Sequence, residues 1–316
     1  MSAIKVLLSM KAPAGRRSHL SVFIFHRVLS QPDPMFPSEV DAIQFDIVMG
    51  WVKNWFNVLP LDEAIRRLKT STLPARAAAV TFDDGYADNF LVALPILQRH
   101  GLTSTFFIAT GFLDGGRMWN DTVIESVRAT PLNTLDVSEL GLGSHPIGNF
   151  EQKRVAIDAV IRQIKYLPVP QRADLAGKLA QVVQVKPPDN LMMTSGQVLA
   201  MHRAGMQIGA HTVSHPILAR LNDEQARQEI QGSKHFLEQL LGERVGLFAY
   251  PNGKPGEDYT LQTVDVVRSL DFDAAVSTRW GASGVEDDLF QIRRFTPWDR
   301  TRLRFGSRML SNFRTA

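Results

Sequence analysis

Two short segments hold the residues best equipped for chemistry. Asp83 and Asp84 stand side by side in Thr81-Phe82-Asp83-Asp84-Gly85-Tyr86, at the end of an apolar run, Ala78–Asp83, that reads as a strand. Successive strand residues point to opposite faces, so both carboxylates reach one site only where the strand ends and the chain turns. Gly85 permits that turn. Adjacent carboxylates repel unless a cation intervenes or one keeps its proton. The second segment, His211-Thr212-Val213-Ser214-His215, follows the apolar run Gln207–His211. Two imidazoles four residues apart converge on one metal if the segment coils, and Pro216 favours a loop over a helix there. Taken singly, the first segment is a solvated turn and the second one capping and one packed histidine. Taken together, one carboxylate and two histidines make a three-ligand zinc set with an open position for water. The other carboxylate is left free as a base, which completes the equipment for metal-assisted hydrolysis.

Competing chemistries fail on spacing. A zincin needs Glu directly after the first His, where Thr212 stands. A serine nucleophile elbow needs Gly at both ends, which Gly143-Ser144-His145-Pro146-Ile147 lacks. Neither a P-loop nor a dinucleotide fingerprint lies where a strand meets a helix. With 0 Cys, thiolate metal sites and cysteine nucleophiles are excluded. The 316 residues are 44% hydrophobic and 21% charged, which excludes overall disorder. Lys and Arg number 35 against 32 Asp and Glu, and a net charge of +3 does not argue for nucleic acid. Ile4–Leu8 is too short for a secretory signal and Lys5 and Lys11 interrupt it. No run approaches the roughly 20 apolar residues of a membrane helix. The expectation is a protein without a membrane span, cytoplasmic by default, of open oligomeric state.

The elements that must position these residues alternate. Strand patterns fall at Leu20–His26, Ala78–Asp83, Thr103–Ala109, Gln207–His211, Val245–Pro251 and Ala274–Ser277, with a short one near Phe56–Leu59. Helical patterns fall at Glu39–Trp55, Leu61–Leu68, Ala87–His100, Ser195–Ala204, Asp223–Leu241 and Thr260–Leu270. Thr194 with Gln197, and Asn222 with Gln225, have the capping-box spacing. Gly101, Gly205 and Gly242 read as helix stops. Alternation implies a parallel sheet, and about seven strands favour a barrel over an open sheet. Both chemical segments then lie at C-terminal strand ends, where such folds place their sites. A helical stretch without a convincing strand, about 120–193, breaks the rhythm and reads as an insertion in a single domain spanning 1–316. Residues 299–316 read as a basic, solvated tail.

The segments TFDDGY and HTVSH resemble the first two motifs of the NodB-type polysaccharide deacetylases, the fourth carbohydrate esterase family. Phe248–Gly253 looks like a variant of the third motif, and the stretches Asp273–Gly281 and Ile292–Pro297 look like diverged fourth and fifth motifs. The resemblance runs from about His26 to Trp298, interrupted by the insertion. It implies a distorted (β/α)7 barrel of the TIM-like kind, in agreement with the strand count. It implies that Asp84, His211 and His215 hold a metal, most often zinc, although such ligands tolerate cobalt, nickel or iron. It makes Asp83 the general base, and a backbone N–H near Tyr250 a partner of the oxyanion. The implied substrate is an N-acetylated oligo- or polysaccharide, a bacterial surface or exopolysaccharide or its precursor, and the products are acetate and a free amino sugar.

Two positions depart from the pattern. The third motif lacks its base-orienting arginine, for which Arg294 or Arg279 can substitute. The fifth motif lacks its acidic histidine, and His26, at the end of the first strand, is the substitute, imidazole being a common proton donor in such chemistry. Trp119 and Asp121 are candidates for stacking on a sugar and bonding its hydroxyls, and Tyr250, Trp280 and Trp298 for lining the pocket. Two alternatives stay open: a hydrolase of a small non-sugar amide on the same barrel, and a catalytically silent carbohydrate-binding protein. A long open groove would favour a polymer, and a closed pocket a small substrate.

Overall fold

The computed structural model describes residues 3–313. Helix α1 (Ala3–Lys11) leads into strand β1 (Leu20–Phe25), and α2 (Ala42–Trp55), the two-residue β2 (Asn57–Val58) and α3 (Leu61–Lys69) lead to β3 (Ala77–Phe82). A π-helical turn at Asn89–Ala93 runs into α4 (Leu94–His100) before β4 (Thr105–Ile108). Next come α5 (Trp119–Ala129), β5 (Thr134–Asp136), β6 (Ser144–Pro146), α6 (Phe150–Ile164) and α7 (Val169–Val182). The chain continues through α8 (Ser195–Arg203), β7 (Gln207–Ala210), α9 (Asp223–Leu241), β8 (Leu247–Ala249) and α10 (Leu261–Ser269). It closes with β9 (Ala274–Trp280), β10 (Ile292–Arg294) and α11 (Arg302–Asn312).

Seven strands run in the order β1-β3-β4-β7-β8-β9-β10, and every ladder between neighbours is parallel. The two edges meet just beyond β10. Ile24 N–H donates to the Phe295 carbonyl at 3.0 Å and Phe295 N–H to the Val22 carbonyl at 2.7 Å, so the sheet is a nearly closed barrel. Strand alternation divides the side chains between two cores. Leu20, Val22, Ala77, Ala79, Leu247, Ala274 and Val276 pack with Leu61, Ile65 and Leu68 of α3, which covers the end where the strands begin. Gln207 fastens that helix, accepting from Leu61 N–H and from Thr105 Oγ1. The opposite end, where the strands finish, stays open. The intervening residues Phe23, Phe25, Val80, Phe82 and Phe106 face outward into the helical layer, Phe82 stacked on Phe106 with centroids 4.7 Å apart.

The expected (β/α)7 barrel is therefore present, with one strand exchanged. The run near Phe56–Leu59 forms β2, a flank on the start of β3, while β10 is the seventh barrel strand. Three residues are too few for a period-2 pattern to register. The expected helix Ala87–His100 is a π-helical turn followed by α4. Both capping boxes form, at the starts of α8 and α9.

The insertion forms a further core from Val123, Val127, Leu135, Ile157, Val160 and Leu179, joined by Met35 from the loop after β1. It is not free of strands: β5 and β6 pair antiparallel, Leu135 opposite His145. Gly141 and Gly143, at φ of +73° and +83°, make the reversal between them. The expected basic tail is also corrected. Residues 302–312 form α11, which buries Phe305 and Met309 in the outer core, while Arg308 turns back to Asp299 at 2.9 Å, and residues 314–316 of the expected tail lie outside the described residues. The basic residues occupy the outer face of an amphipathic helix. No helix among the described residues is long and apolar enough to cross a membrane.

Candidate active site

At the end of β3, Asp83 continues the inward alternation of Ala77, Ala79 and Thr81, so its carboxylate enters the barrel mouth. There it meets Arg294, which continues the inward row of β10. The guanidinium donates from Nη1 to Asp83 Oδ1 and from Nη2 to Oδ2, both at 2.7 Å, and its Nε donates to the Ser277 carbonyl at 2.8 Å. Arg294 is only 1% exposed, so the fork is fully sheltered and geometrically fixed. Burial raises the Asp83 carboxyl pKa, but the charge of Arg294 and then of His211 more than offset it, and the group ends below the ordinary carboxylate range.

Asp84 turns out of the strand. Its φ is +76°, a left-handed value that a non-glycine residue adopts at a cost, and Gly85 follows at +92°. This pair of residues brings the second carboxylate to the same mouth. Across from it, the segment from His211 to Pro216 is a loop, with Thr212 at +65° and His215 at +50°. Such backbone values gather at functional sites, held there by their surroundings. Glu229 of α9 does much of the holding: its carboxylate accepts from Val213 N–H at 3.0 Å, Ser214 N–H at 2.8 Å and Ser214 Oγ at 2.6 Å. Gly111 sits against the same loop, where a Cβ would lie 2.7 Å from the Val213 carbonyl.

His211 Nδ1 donates to the Ala249 carbonyl at 2.7 Å. That bond leaves Nε2 with its lone pair free, the arrangement common to metal-binding imidazoles. His211 Nε2 lies 3.4 Å and His215 Nε2 3.5 Å from Asp84 Oδ1. These are loose for hydrogen bonds but right for ligands sharing one ion, since tetrahedral bonds of about 2.0–2.1 Å set ligand atoms roughly 3.3–3.4 Å apart. The three ligand atoms all lie within 4.8 Å of one another. Asp84 Oδ1 is buried without a hydrogen-bond partner, an orphaned acceptor at the focus of the cluster. The residues present fit a divalent cation. Burial raises the Asp84 carboxyl, but the neighbouring imidazoles of His211, His215 and His26 hold it well below the usual range. Burial lowers His215 to about 4, keeping its ring neutral, whereas Asp84 and Asp83 hold His211 above 6.5 against the effect of burial.

Asp83, Asp84, His211 and His215 line one cavity of about 270 Å3, together with His26, Trp119 and Asn252. His26 is exposed on its rim and its backbone carbonyl accepts from Asn89 Nδ2 at 2.9 Å. Asp121 is buried beside this cavity, its carboxylate 3.1 Å from the Tyr86 hydroxyl, which donates to it. Burial lifts its carboxyl to about 7. Tyr250 is placed elsewhere. It follows the inward Ala249, so its ring points outward, stacks on Tyr259 at 3.8 Å and donates its hydroxyl to the Phe290 carbonyl. Its own N–H is taken by the Val276 carbonyl at 3.2 Å, so it neither lines the pocket nor serves an oxyanion. Arg279 is exposed on β9, away from Asp83. Trp298 is 67% exposed beside the flanking cavity that also holds His26 and Asp84.

Sequence reasoning missed Glu229, Asn252, Lys165 and Arg172. The last three line the cavity, and Lys165 and Arg172 come from the insertion. Asn252 lies in the third-motif stretch Phe248–Gly253; the other three carry no local pattern, and only the fold brings them to the mouth.

A family model described as polysaccharide deacetylase matches residues 70–134 and 179–275. The unmatched stretch between them lies within the insertion. YxkH of Bacillus subtilis (strain 168), provisionally named a polysaccharide deacetylase, is 19% identical over 277 residues, which cover 87% of this chain and 70% of that one. The Streptococcus pyogenes deacetylase PplD, solved in complex with acetate, superposes with a TM-score of 0.59 at 20% identity, over 88% of this chain and 92% of that one. IcaB from Ammonifex degensii superposes with a TM-score of 0.60 at 18% identity, over 96% and 98%. At these identities the solved structures speak for the fold.

Proposed function

Because the chain belongs to the polysaccharide deacetylase family, the NodB-type carbohydrate esterases, we propose that it is a metal-dependent hydrolase of N-acetyl groups on the amino sugars of a bacterial surface or exopolysaccharide, or of its precursor. The observation that carries this is the orphaned Asp84 Oδ1 facing His211 and His215, with a second carboxylate, Asp83, clamped by Arg294 beside it.

A divalent cation held by Asp84, His211 and His215, most often zinc, supplies Lewis acidity toward water and the acyl oxygen. Asp83 takes the proton of the attacking water. Each of its oxygens has two lone pairs and Arg294 uses one of each, so acceptor capacity remains. Arg294 fixes the carboxylate's orientation and keeps it ionised, which is the state a base needs. His26 on the rim gives a proton to the departing nitrogen as the C–N bond breaks. Water thus contributes hydroxyl to the acyl carbon and hydrogen to the amine, giving acetate and a free amino sugar. Trp119 supplies an apolar face for the sugar ring.

The surroundings favour a polymer. The cavity shares Lys165 and Arg172 with a neighbouring one of about 740 Å3, and His26, Asp84 and Asn120 with another of about 480 Å3. The catalytic cavity therefore adjoins two further cavities, which offer room for sugars beyond the reacting one. The test is acetate release from N-acetylglucosamine oligomers by chelated and zinc-restored protein. Zinc-dependent release is expected. Stoichiometric metal without release would redirect the reading to another amide, and neither metal nor release would leave a silent carbohydrate-binding protein.

A further inference from the structure

The insertion delivers two cations to the catalytic cavity. Lys165 stands at the end of α6 and Arg172 in the first turn of α7, and both line the 270 Å3 cavity and the 740 Å3 cavity beside it. Arg172 is 4% exposed, yet its Nε has no hydrogen-bond partner. Its Nη1 reaches only the Lys165 carbonyl, at 3.5 Å, and its guanidinium lies 5.4 Å from the centroid of Trp119. Lys165 Nζ lies 5.6 Å over the exposed ring of Tyr166. Among the described residues neither cation forms an ion pair with a carboxylate.

The acids nearby are already engaged. Asp83 is spanned by Arg294, and Asp84 belongs to the histidine cluster. Glu229, whose charge reaches Arg172, has its oxygens occupied by Val213 and Ser214. A buried guanidinium is costly unless its donors find acceptors. Arg172 lines the junction of the catalytic cavity and its neighbour, where oxygens of a ligand can supply acceptors to the guanidinium that the chain does not.

We propose that Lys165 and Arg172 form a cationic subsite that selects N-acetylated glycans bearing an oxyanion, a carboxylate or a phosphate, on the reacting sugar or the one next to it. The proposal rests on the deacetylase reading and assigns the insertion a role in choosing the substrate. A planar fork and a point charge side by side suit a group with two or three terminal oxygens.

The experiment measures kcat/KM of the zinc-loaded protein on three oligosaccharides: neutral N-acetylglucosamine, N-acetylglucosamine alternating with a uronic acid, and N-acetylglucosamine carrying phosphate. One of the anionic substrates is expected to be preferred about ten- to a hundredfold, the range of a charge-assisted hydrogen bond. Which one is preferred identifies the oxyanion. Lys165→Gln, on the rim and harmless to packing, and Arg172→Gln are expected to reduce the preference ratio, Lys165→Arg to restore it, and added salt to weaken it. No preference in the unaltered protein, or variants that slow all three substrates equally, would overturn the proposal. Calorimetric binding of the same oligosaccharides separates the two readings. Retained anionic preference in binding without any turnover would sink the deacetylase reading alone, and equal binding of all three would sink the subsite.

Discussion

Asp83 and Asp84 are adjacent in sequence yet have opposite partners, and that contrast is directly measurable. Asp83 faces a guanidinium and Asp84 two imidazoles. Asp83→Asn is therefore expected to keep its metal, read by elemental analysis, while turnover falls by about 10^2- to 10^4-fold, the scale of a lost general base. Asp84→Ala and His215→Ala are expected to lose metal and turnover together. An Asp83→Asn protein that also loses its metal would contradict the division of roles. His26→Ala is expected to retain metal and lose rate, and full activity would remove His26 as the acid. Asp121 gives a prediction of another kind. Burial raises its carboxyl from 3.8 to about 7, with Asp84 and Glu125 adding to the shift and Arg27 and Tyr86 opposing it. The folded state then binds more protons than the unfolded chain across that window, so Asp121 contributes stability below pH 4 that is lost as pH rises through 7. Asp121→Asn removes the buried charge. It should raise the melting temperature more at pH 8 than at pH 5, and an equal shift at both would show that Asp121 stays ionised throughout.

At the scale of elements, legibility in the sequence followed length and locality. The strands around Ala78–Asp83 and Gln207–His211 were visible because apolar runs ended in polar, turn-forming residues, and the same ends held the four central site residues. The capping boxes at Thr194 and Asn222 were visible because their geometry is local. β10 was hidden because three residues show no period, and β5 and β6 for the same reason. Helix α11 was hidden because its three arginines, Arg302, Arg304 and Arg308, outweigh its apolar stripe in composition. In the site, Arg294 was anticipated from a missing arginine elsewhere. Lys165, Arg172 and Glu229 were not, since their roles depend on how α6, α7 and α9 pack. The hidden helix carries weight. Phe305 is fully buried between Phe23, Trp55 and Phe295, with ring centroids 5.7–6.4 Å away. Phe305→Ala is expected to cost about 3–5 kcal/mol in chemical denaturation, in keeping with large-to-small changes in cores. A cost under about 0.5 kcal/mol, the scale of a surface substitution, would mean that α11 is an appendage after all.

For the molecule as a whole, the cluster sits at a weakly laced seam of the barrel. β1 and β3 pair through six residues, but β7 and β8 through one, Ala210 with Phe248. His211 begins just beyond that pair, and its Nδ1–H bond to the Ala249 carbonyl is a side-chain stitch across the same seam. A cation on Asp84, His211 and His215 would join the end of β3 to the loop after β7, spanning β4 between them. Ligand that binds only the folded state stabilises it by about 2.7 kcal/mol at a hundred times its dissociation constant, which for a chain of this size is worth several degrees in melting temperature. Chelated protein is therefore expected to melt several degrees below zinc-loaded protein. Asp84→Ala should melt at one temperature under both conditions, since it has no ion to lose. Because His211 is held above 6.5 by the neighbouring acids, protons compete with the cation for its ring, and the zinc-dependent increment should shrink as pH falls. Coincident melting of the chelated and loaded forms, with zinc shown to be bound, would mean that the seam is held by its own packing and that the ion serves chemistry alone.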